Sequence, residues 1–214
     1  MTAERVIGTA LAAFAALLAV VRANRTAAFD LAMTLKLQAL DHPVVAELLR
    51  LASWPGFPPQ SRLIPPAIML AWWARGRRRA AAFQALAWGG AAISTGVKAL
   101  IRRPRPLPPE VRVVVAPLGG TSFPSGHVLT YVGFYGFLGF LLAEHLRDGA
   151  LRNVSVASLT ALLALVGPSR IQQGHHWTTD VVASYLLGLA YLFALVELYR
   201  ATTPRGVLSR LTGR

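Results

Sequence analysis

The segment from Ser169 to Asp180 reads Ser-Arg-Ile-Gln-Gln-Gly-His-His-Trp-Thr-Thr-Asp, so two histidines, an arginine and a carboxylate share one short polar stretch. Apolar runs flank it, Val154 to Val166 before and Val181 to Tyr199 after. Ionisable groups set between membrane-like runs are costly and mark places of function. His176 and Asp180 are four residues apart, one helical turn, so a helix would put them on one face. A carboxylate there can hold an imidazole in one tautomer and leave its other nitrogen free as a nucleophile. His175, five residues from Asp180, is turned away from that face. The bland alternative, a polar cap between two helices, suits a lone histidine better than this cluster.

The bulk of the chain says what must position such a site. Of 214 residues, 54% are hydrophobic and 14% charged, with a mean hydropathy of +0.48. That is too apolar for an ordinary soluble domain, and an integral membrane protein is the class it implies. The net charge of +13 sits in short basic clusters between apolar runs, as membrane-topology signals do. Aromatic and basic residues are not interleaved as in strand-binding proteins, so no nucleic-acid partner is expected. Cysteine is absent, which excludes disulfides and thiolate metal sites. No internal repeat or linker is visible, and residues 1–214 read as one membrane-embedded domain.

Six apolar spans follow from the pattern. Val6 to Val21 is the first, slightly short of the roughly 20 residues a crossing needs. It reads as an uncleaved span rather than a signal peptide, because no strongly basic leader precedes it. Leu63 to Ala74, closed by Trp72-Trp73, is the second and must recruit residues before Arg62. Ala80 to Ile101 is the third, Val128 to Ala143 the fourth, Asn153 to Pro168 the fifth and Val181 to Tyr199 the sixth. Gly133, Gly136 and Gly139 form a small-residue ridge that would admit a neighbouring helix. Between the first two spans, residues 27–52 carry Phe29, Met33, Leu37 and Leu40 at helical spacing, then Val45, Leu48 and Leu49. Asp30, Lys36, Asp41, Glu47 and Arg50 interrupt them too often for a crossing. This segment is predicted as amphipathic helix lying at the membrane surface, with packing on other protein the alternative. The expected fold is therefore all-α: six transmembrane helices plus an amphipathic interfacial helical segment.

Arg75, Arg77, Arg78 and Arg79 make the densest basic loop, which the positive-inside rule places in the cytoplasm. Both termini then lie inside, and the tail arginines Arg200, Arg205, Arg210 and Arg214 agree. Parity puts Lys98, His127, Arg170 and His176 together at the extracytoplasmic end. Lys98, Arg105 and Arg170 around one point would bind a multiply charged oxyanion, which means phosphate. The helix start after Ser125-Gly126 adds backbone donors. Two imidazoles can divide the work, one attacking phosphorus and the other protonating the leaving oxygen.

At this point the sequence resembles the type 2 phosphatidic acid phosphatase family, lipid phosphatases related to vanadium haloperoxidases. Its three motifs are present in order. Lys98 is followed by six residues and Arg105-Pro106; Pro124-Ser125-Gly126-His127 is the second; Ser169-Arg170, five residues, His176, three residues and Asp180 make the third. Arg103-Pro104 offers another Arg-Pro pair at the wrong distance from Lys98. The motifs cover only about residues 98–180.

The resemblance implies His176 as the nucleophile of a phosphohistidine, Asp180 as its orienting group, and His127 as general acid and then base. It implies Lys98, Arg105 and Arg170 on the phosphate oxygens, helped by Ser125 and Gly126. Ser169 matches the motif but reads as structural, and Arg102 and Arg103 as loop or headgroup contacts. Neither metal nor cofactor is implied. The expected activity is dephosphorylation of a membrane lipid at the outer interface of the cell membrane. Polyprenyl diphosphate (in bacteria, undecaprenyl diphosphate in cell-envelope lipid metabolism) is favoured over phosphatidic acid and phosphatidylglycerol phosphate. The competing functions are a phosphotransferase working through the same phosphohistidine and a non-catalytic lipid-binding or lipid-flipping protein. A vanadium-dependent oxidase is more remote.

Overall fold

The computed structural model describes residues 2–40, 42–114 and 119–202, and every regular element in them is helical. In order these are α1 (Ala3–Arg22), α2 (Ala27–Gln38), α3 (Pro43–Ser53), a 3₁₀ turn (Trp54–Gly56), α4 (Gln60–Ala74), α5 (Arg78–Ala87), α6 (Gly90–Ile101), α7 (Gly126–His145), α8 (Ala150–Gln172) and α9 (Thr178–Ala201). Asp41 and the arginines at 205, 210 and 214 lie outside the described residues.

α7 is the central element. It is apolar on every side, as a helix enclosed by others must be, and Val128, Leu129, Phe134, Phe137 and Leu141 are fully buried. α8, α9, α6 and α5 pack on it, while α1 runs along α9. The predicted glycine ridge works as expected at two of its three positions. A Cβ on Gly133 would stand 2.9 Å from the Ala87 carbonyl oxygen, and one on Gly136 would stand 2.8 Å from Leu192. Gly139 makes ordinary contact only, 3.7 Å from Leu159.

Among the described residues four helices, α1, α7, α8 and α9, are long and apolar enough to cross a membrane. The other two predicted spans differ from expectation. α4 does begin upstream, at Gln60, but has only 15 residues. The predicted third span is broken between Ala87 and Gly90. The break has a physical cause. Gly90 lets the Leu129 carbonyl oxygen come within 3.1 Å of where a Cβ would stand, and the Leu86 carbonyl accepts from Gly89 N at 2.7 Å, which tightens the turn, and also from the Tyr191 hydroxyl.

α8 instead runs longer than predicted, past Pro168 to Gln172. An interior proline costs a helix about 3 kcal/mol. Here the Tyr185 hydroxyl is inserted at the weak point: it donates to Leu163 O at 2.6 Å and accepts from Gly167 N at 3.0 Å. A hydroxyl bridging one i, i+4 pair lets the helix bend without ending. The extra turn carries Ser169 and Arg170 into the site.

α2 and α3 are helical as expected, but in α2 the polar side is the inner one. Phe29, Leu40 and Leu48 are exposed, whereas Asp30 and Thr34 are fully buried. α2 packs on α8 and α9, and α3 packs on α8 through Leu49, Ala52 and Ser53.

Candidate active site

The loop between α8 and α9 carries the two adjacent histidines, and one glycine shapes it. Gly174 has φ +71°, and a Cβ there would collide with the Arg112 carbonyl. Only glycine satisfies both conditions. His175 N then closes the turn on Arg170 O at 3.1 Å. α9 starts two residues beyond His176, so the one-helical-face premise for His176 and Asp180 does not hold.

His176 Nδ1 lies 2.8 Å from the Ser122 carbonyl oxygen. A carbonyl only accepts, so the ring proton sits on Nδ1 and Nε2 carries the lone pair. The nearest Asp180 oxygen is 3.7 Å from Nδ1, beyond hydrogen-bond reach. Orientation of the imidazole thus falls to Ser122, with the Asp180 carboxylate standing beyond it. Nε2 is 3.3 Å from Arg105 Nη1, which also donates to His175 O at 2.6 Å. Burial lowers the His176 pKa well below the ordinary histidine range, and the charges of Arg105, Arg170 and Lys98 lower it further. Arg105 is itself lowered by burial, opposed by Asp180.

His176, His127, Lys98, Arg105 and Gly126 line one cavity of about 540 Å³, and no carboxylate is among its lining residues. The three motifs therefore converge on one anion-ready space. Lys98 Nζ donates to Thr121 O at 2.8 Å, at its rim. His127 is the first-turn residue of α7, its ring 5.1 Å from Phe57, and its Nε2 has no partner among the described residues. Ser125 Oγ is likewise buried and unpartnered, while the Ser125 amide donates to Ser184 Oγ at 2.7 Å. Buried donors without partners are places a ligand's oxygens can fill.

Three residues of the third motif sit behind the cavity rather than on it, two of them, Arg170 and Asp180, expected in the site. Arg170 is fully buried; it donates to Ser53 Oγ at 3.1 Å, to Gln173 Oε1 at 3.0 Å and to His175 Nδ1, and only its Nε is unpartnered. Ser169 joins α8 to α3 through Ser53 Oγ at 2.6 Å and Leu49 O, the structural role read from sequence. Asp180 accepts from Trp177 N at 2.9 Å and from Arg103 Nη1 at 2.6 Å.

Ser122, Arg103 and Asp30 were not foreseen. Arg103 stands at the wrong distance from Lys98 for the motif, and Asp30 reads in sequence as a surface interruption. A lone carboxylate in an apolar helix was the usable signal for Asp30; nothing in the sequence marks a backbone carbonyl such as that of Ser122.

The PAP2 superfamily pattern matches residues 80–204, and the chain belongs to that family. Phosphatidylglycerophosphatase B of Bacillus subtilis is 37% identical over 92 residues, which cover 41% of this chain and 45% of that protein, so the matched stretch spans less than half of the relative. The crystal structure of the first transmembrane PAP2-type phosphatidylglycerolphosphate phosphatase from Bacillus subtilis superimposes with a TM-score of 0.82 at 21% identity, covering 93% of this chain and 98% of that one. The fold is thus that of a transmembrane PAP2 protein.

Proposed function

We propose that the protein is a lipid phosphate phosphatase working through a phosphohistidine on His176. The observation that carries this is the His176 imidazole, its Nδ1 on the Ser122 carbonyl and its Nε2 facing a cation-lined cavity. Nε2 attacks phosphorus while the bond to the lipid oxygen breaks, and His127 gives that oxygen its proton. His127 then takes a proton from water, the water oxygen attacks phosphorus, and the phosphorus–nitrogen bond breaks to release phosphate and neutral His176. Lys98 and Arg105 stabilise the charge on the equatorial oxygens, Arg170 adds its positive charge from behind the cavity wall, and Ser125 Oγ and the start of α7 assist. No step needs a metal or a cofactor, and among the described residues no group of three His, Cys, Asp or Glu is placed to hold a metal ion.

A third cation, Arg62 on the first turn of α4, also lines the cavity. It suits a substrate with a second phosphate, as in phosphatidylglycerol phosphate or a polyprenyl diphosphate, over phosphatidic acid. The sequence match and the structural match both carry phosphatidylglycerol phosphate in their names, and we place it ahead of the polyprenyl diphosphate favoured by sequence. Purified protein in excess EDTA is expected to release phosphate from phosphatidylglycerol phosphate faster than from phosphatidic acid, and vanadate should inhibit as a five-coordinate mimic. Loss of release in EDTA with recovery in magnesium would sink the metal-free mechanism. Labelled phosphate arriving on a second lipid would make the enzyme a phosphotransferase.

The same reading has six crossings, with α4 and the α5–α6 pair as the second and third. In support, the 3₁₀ turn and α4 together run from Gly56 beside His127 to Trp72, whose ring is 5.6 Å from that of His145. The α5–α6 pair runs back from Arg77, 2.7 Å from His145 Nδ1, to Ser94 beside Gly126. The basic loop and the cavity thus lie at opposite ends of α7, whose 20 residues span about 30 Å. We place the loop in the cytoplasm with both termini, the cavity at the outer interface, and α2–α3 at that surface. Gly119→Cys should react with an impermeant thiol reagent in intact cells and Gly76→Cys should not. The reverse labelling would invert the orientation.

A further inference from the structure

Asp180 does not stand alone behind His176. Arg103 Nη1 lies 2.6 Å from Asp180 Oδ1, and its Nη2 lies 2.6 Å from Asp30 Oδ2. Asp30 also accepts from Thr179 N and Thr179 Oγ1, each at 2.8 Å. Thr179 Oγ1 in turn accepts from Arg103 Nη1 at 2.7 Å, and Thr26 Oγ1 accepts from Nη2 at 3.1 Å. Both carboxylates are fully buried. One guanidinium therefore serves two carboxylates, one on α2 and one on α9. Asp30 lies outside residues 80–204, where the family pattern matches.

We propose that Asp30 and Arg103 are positioning residues of the catalytic site: Asp30 shares the charge of Arg103, so that Asp180 keeps negative charge facing His176 while its carboxylate stays fixed. The inference rests on the phosphohistidine reading. A phosphorylated His176 ring carries positive character, and a forming intermediate is stabilised by a nearby carboxylate that is not fully neutralised. The groups that face His176 are Lys98 from α6, Arg105 and the Ser122 carbonyl from the loop before α7, His127 from α7, Arg170 from α8, its neighbour His175, and Asp180 from α9. Asp180 is the sole carboxylate in that set. Without the Asp30 charge, Arg103 would belong to Asp180 alone, and the negative charge felt by His176 would fall.

Removing the Asp30 charge disfavours a protonated His176, so the acid limb of kcat/KM moves to lower pH. Asp30→Asn is expected to lower kcat for phosphatidylglycerol phosphate about 10-fold, leave KM within about 2-fold and move the acid limb down by about one pH unit. Asp30→Glu should bring the limb back. Thr26→Val, which deletes only a neutral contact, should leave the limb in place. Arg103→Lys, which keeps charge but cannot fork to both carboxylates, should lower kcat without restoring Asp30→Asn. Folding is followed in parallel by thermal denaturation. A folded Asp30→Asn with wild-type kcat and acid limb overturns the proposal; should that variant not fold, a folded Arg103→Lys with wild-type kcat does so. Failure of the wild-type protein to release phosphate from any lipid would instead overturn the underlying phosphatase reading.

Discussion

His176→Ala is expected to abolish turnover, by on the order of 10⁴-fold or more, and to leave no acid-trapped phosphoenzyme. No other ring nitrogen combines the His176 arrangement: a proton fixed on Nδ1 by the Ser122 carbonyl and Nε2 on the cavity beside Arg105. His127→Ala should lose about 10²- to 10⁴-fold with natural lipids, whose leaving alkoxide needs a proton. With a good leaving group it should still form the phosphohistidine and then accumulate it, for want of a base to activate water. Asp180→Asn should be milder than His176→Ala, because the ring keeps its Ser122 partner. His175→Ala should fall between these and wild type. Its Nδ1 accepts from Arg170, so its loss frees that guanidinium and costs on the order of 10- to 100-fold while phosphoenzyme still forms. Acid-quenched trapping of labelled phosphoenzyme across the four variants, with steady-state phosphate release beside it, reads all of this. Phosphoenzyme present in His176→Ala and absent in His175→Ala would reassign the nucleophile.

What was legible in the sequence was chemistry at fixed spacing within one stretch. Lys98, Arg105, His127 and His176 were named from motifs, and they share a cavity. Helix positions were also legible where apolar runs are long, as in α7 and α9. Contacts made across distant segments were not. Nothing local to Asp30 announces Arg103, 73 residues away, and nothing near Pro168 announces that a hydroxyl from residue 185 will carry α8 through it. The helical-face argument for His176 and Asp180 named two residues that do come close, but by a different route: Asp180 sits in the first turn of α9 and His176 in the loop before it. Spacing limits which residues can meet, while the atom that accepts the histidine proton is decided by a loop 54 residues upstream.

Gly56→Ala is expected to cut kcat by about 100-fold or more, although the position belongs to no motif and reads in sequence only as part of a helix-breaking Trp54 to Gln60 stretch. An added methyl would collide with His127 Cδ2, stand 2.8 Å from His127 Nε2 and 3.1 Å from Tyr131 Cε2. Carbon contacts settle near 3.5–4.0 Å, so the imidazole must shift by a sizeable fraction of an ångström or more. The Phe57 ring at 5.1 Å and the Tyr131 ring at 6.5 Å flank it, so its open direction is into the cavity, where the substrate would bind. A displacement of about 1 Å in a group that transfers a proton costs about 10²-fold. Because the defect is placed on His127, Gly56→Ala should copy His127→Ala: lipid turnover falls, and phosphohistidine accumulates from a substrate with a good leaving group. Gly96→Ala is the matched control. It lies on the exposed side of α6 with nothing within 4 Å of the added methyl, and alanine is favoured over glycine in a helix by about 1 kcal/mol. It should leave kcat unchanged and raise the melting temperature slightly. A folded Gly56→Ala that turns over lipid at the wild-type rate would mean that the 3₁₀ turn does not wall the general acid, and the cavity would have to be redrawn without it.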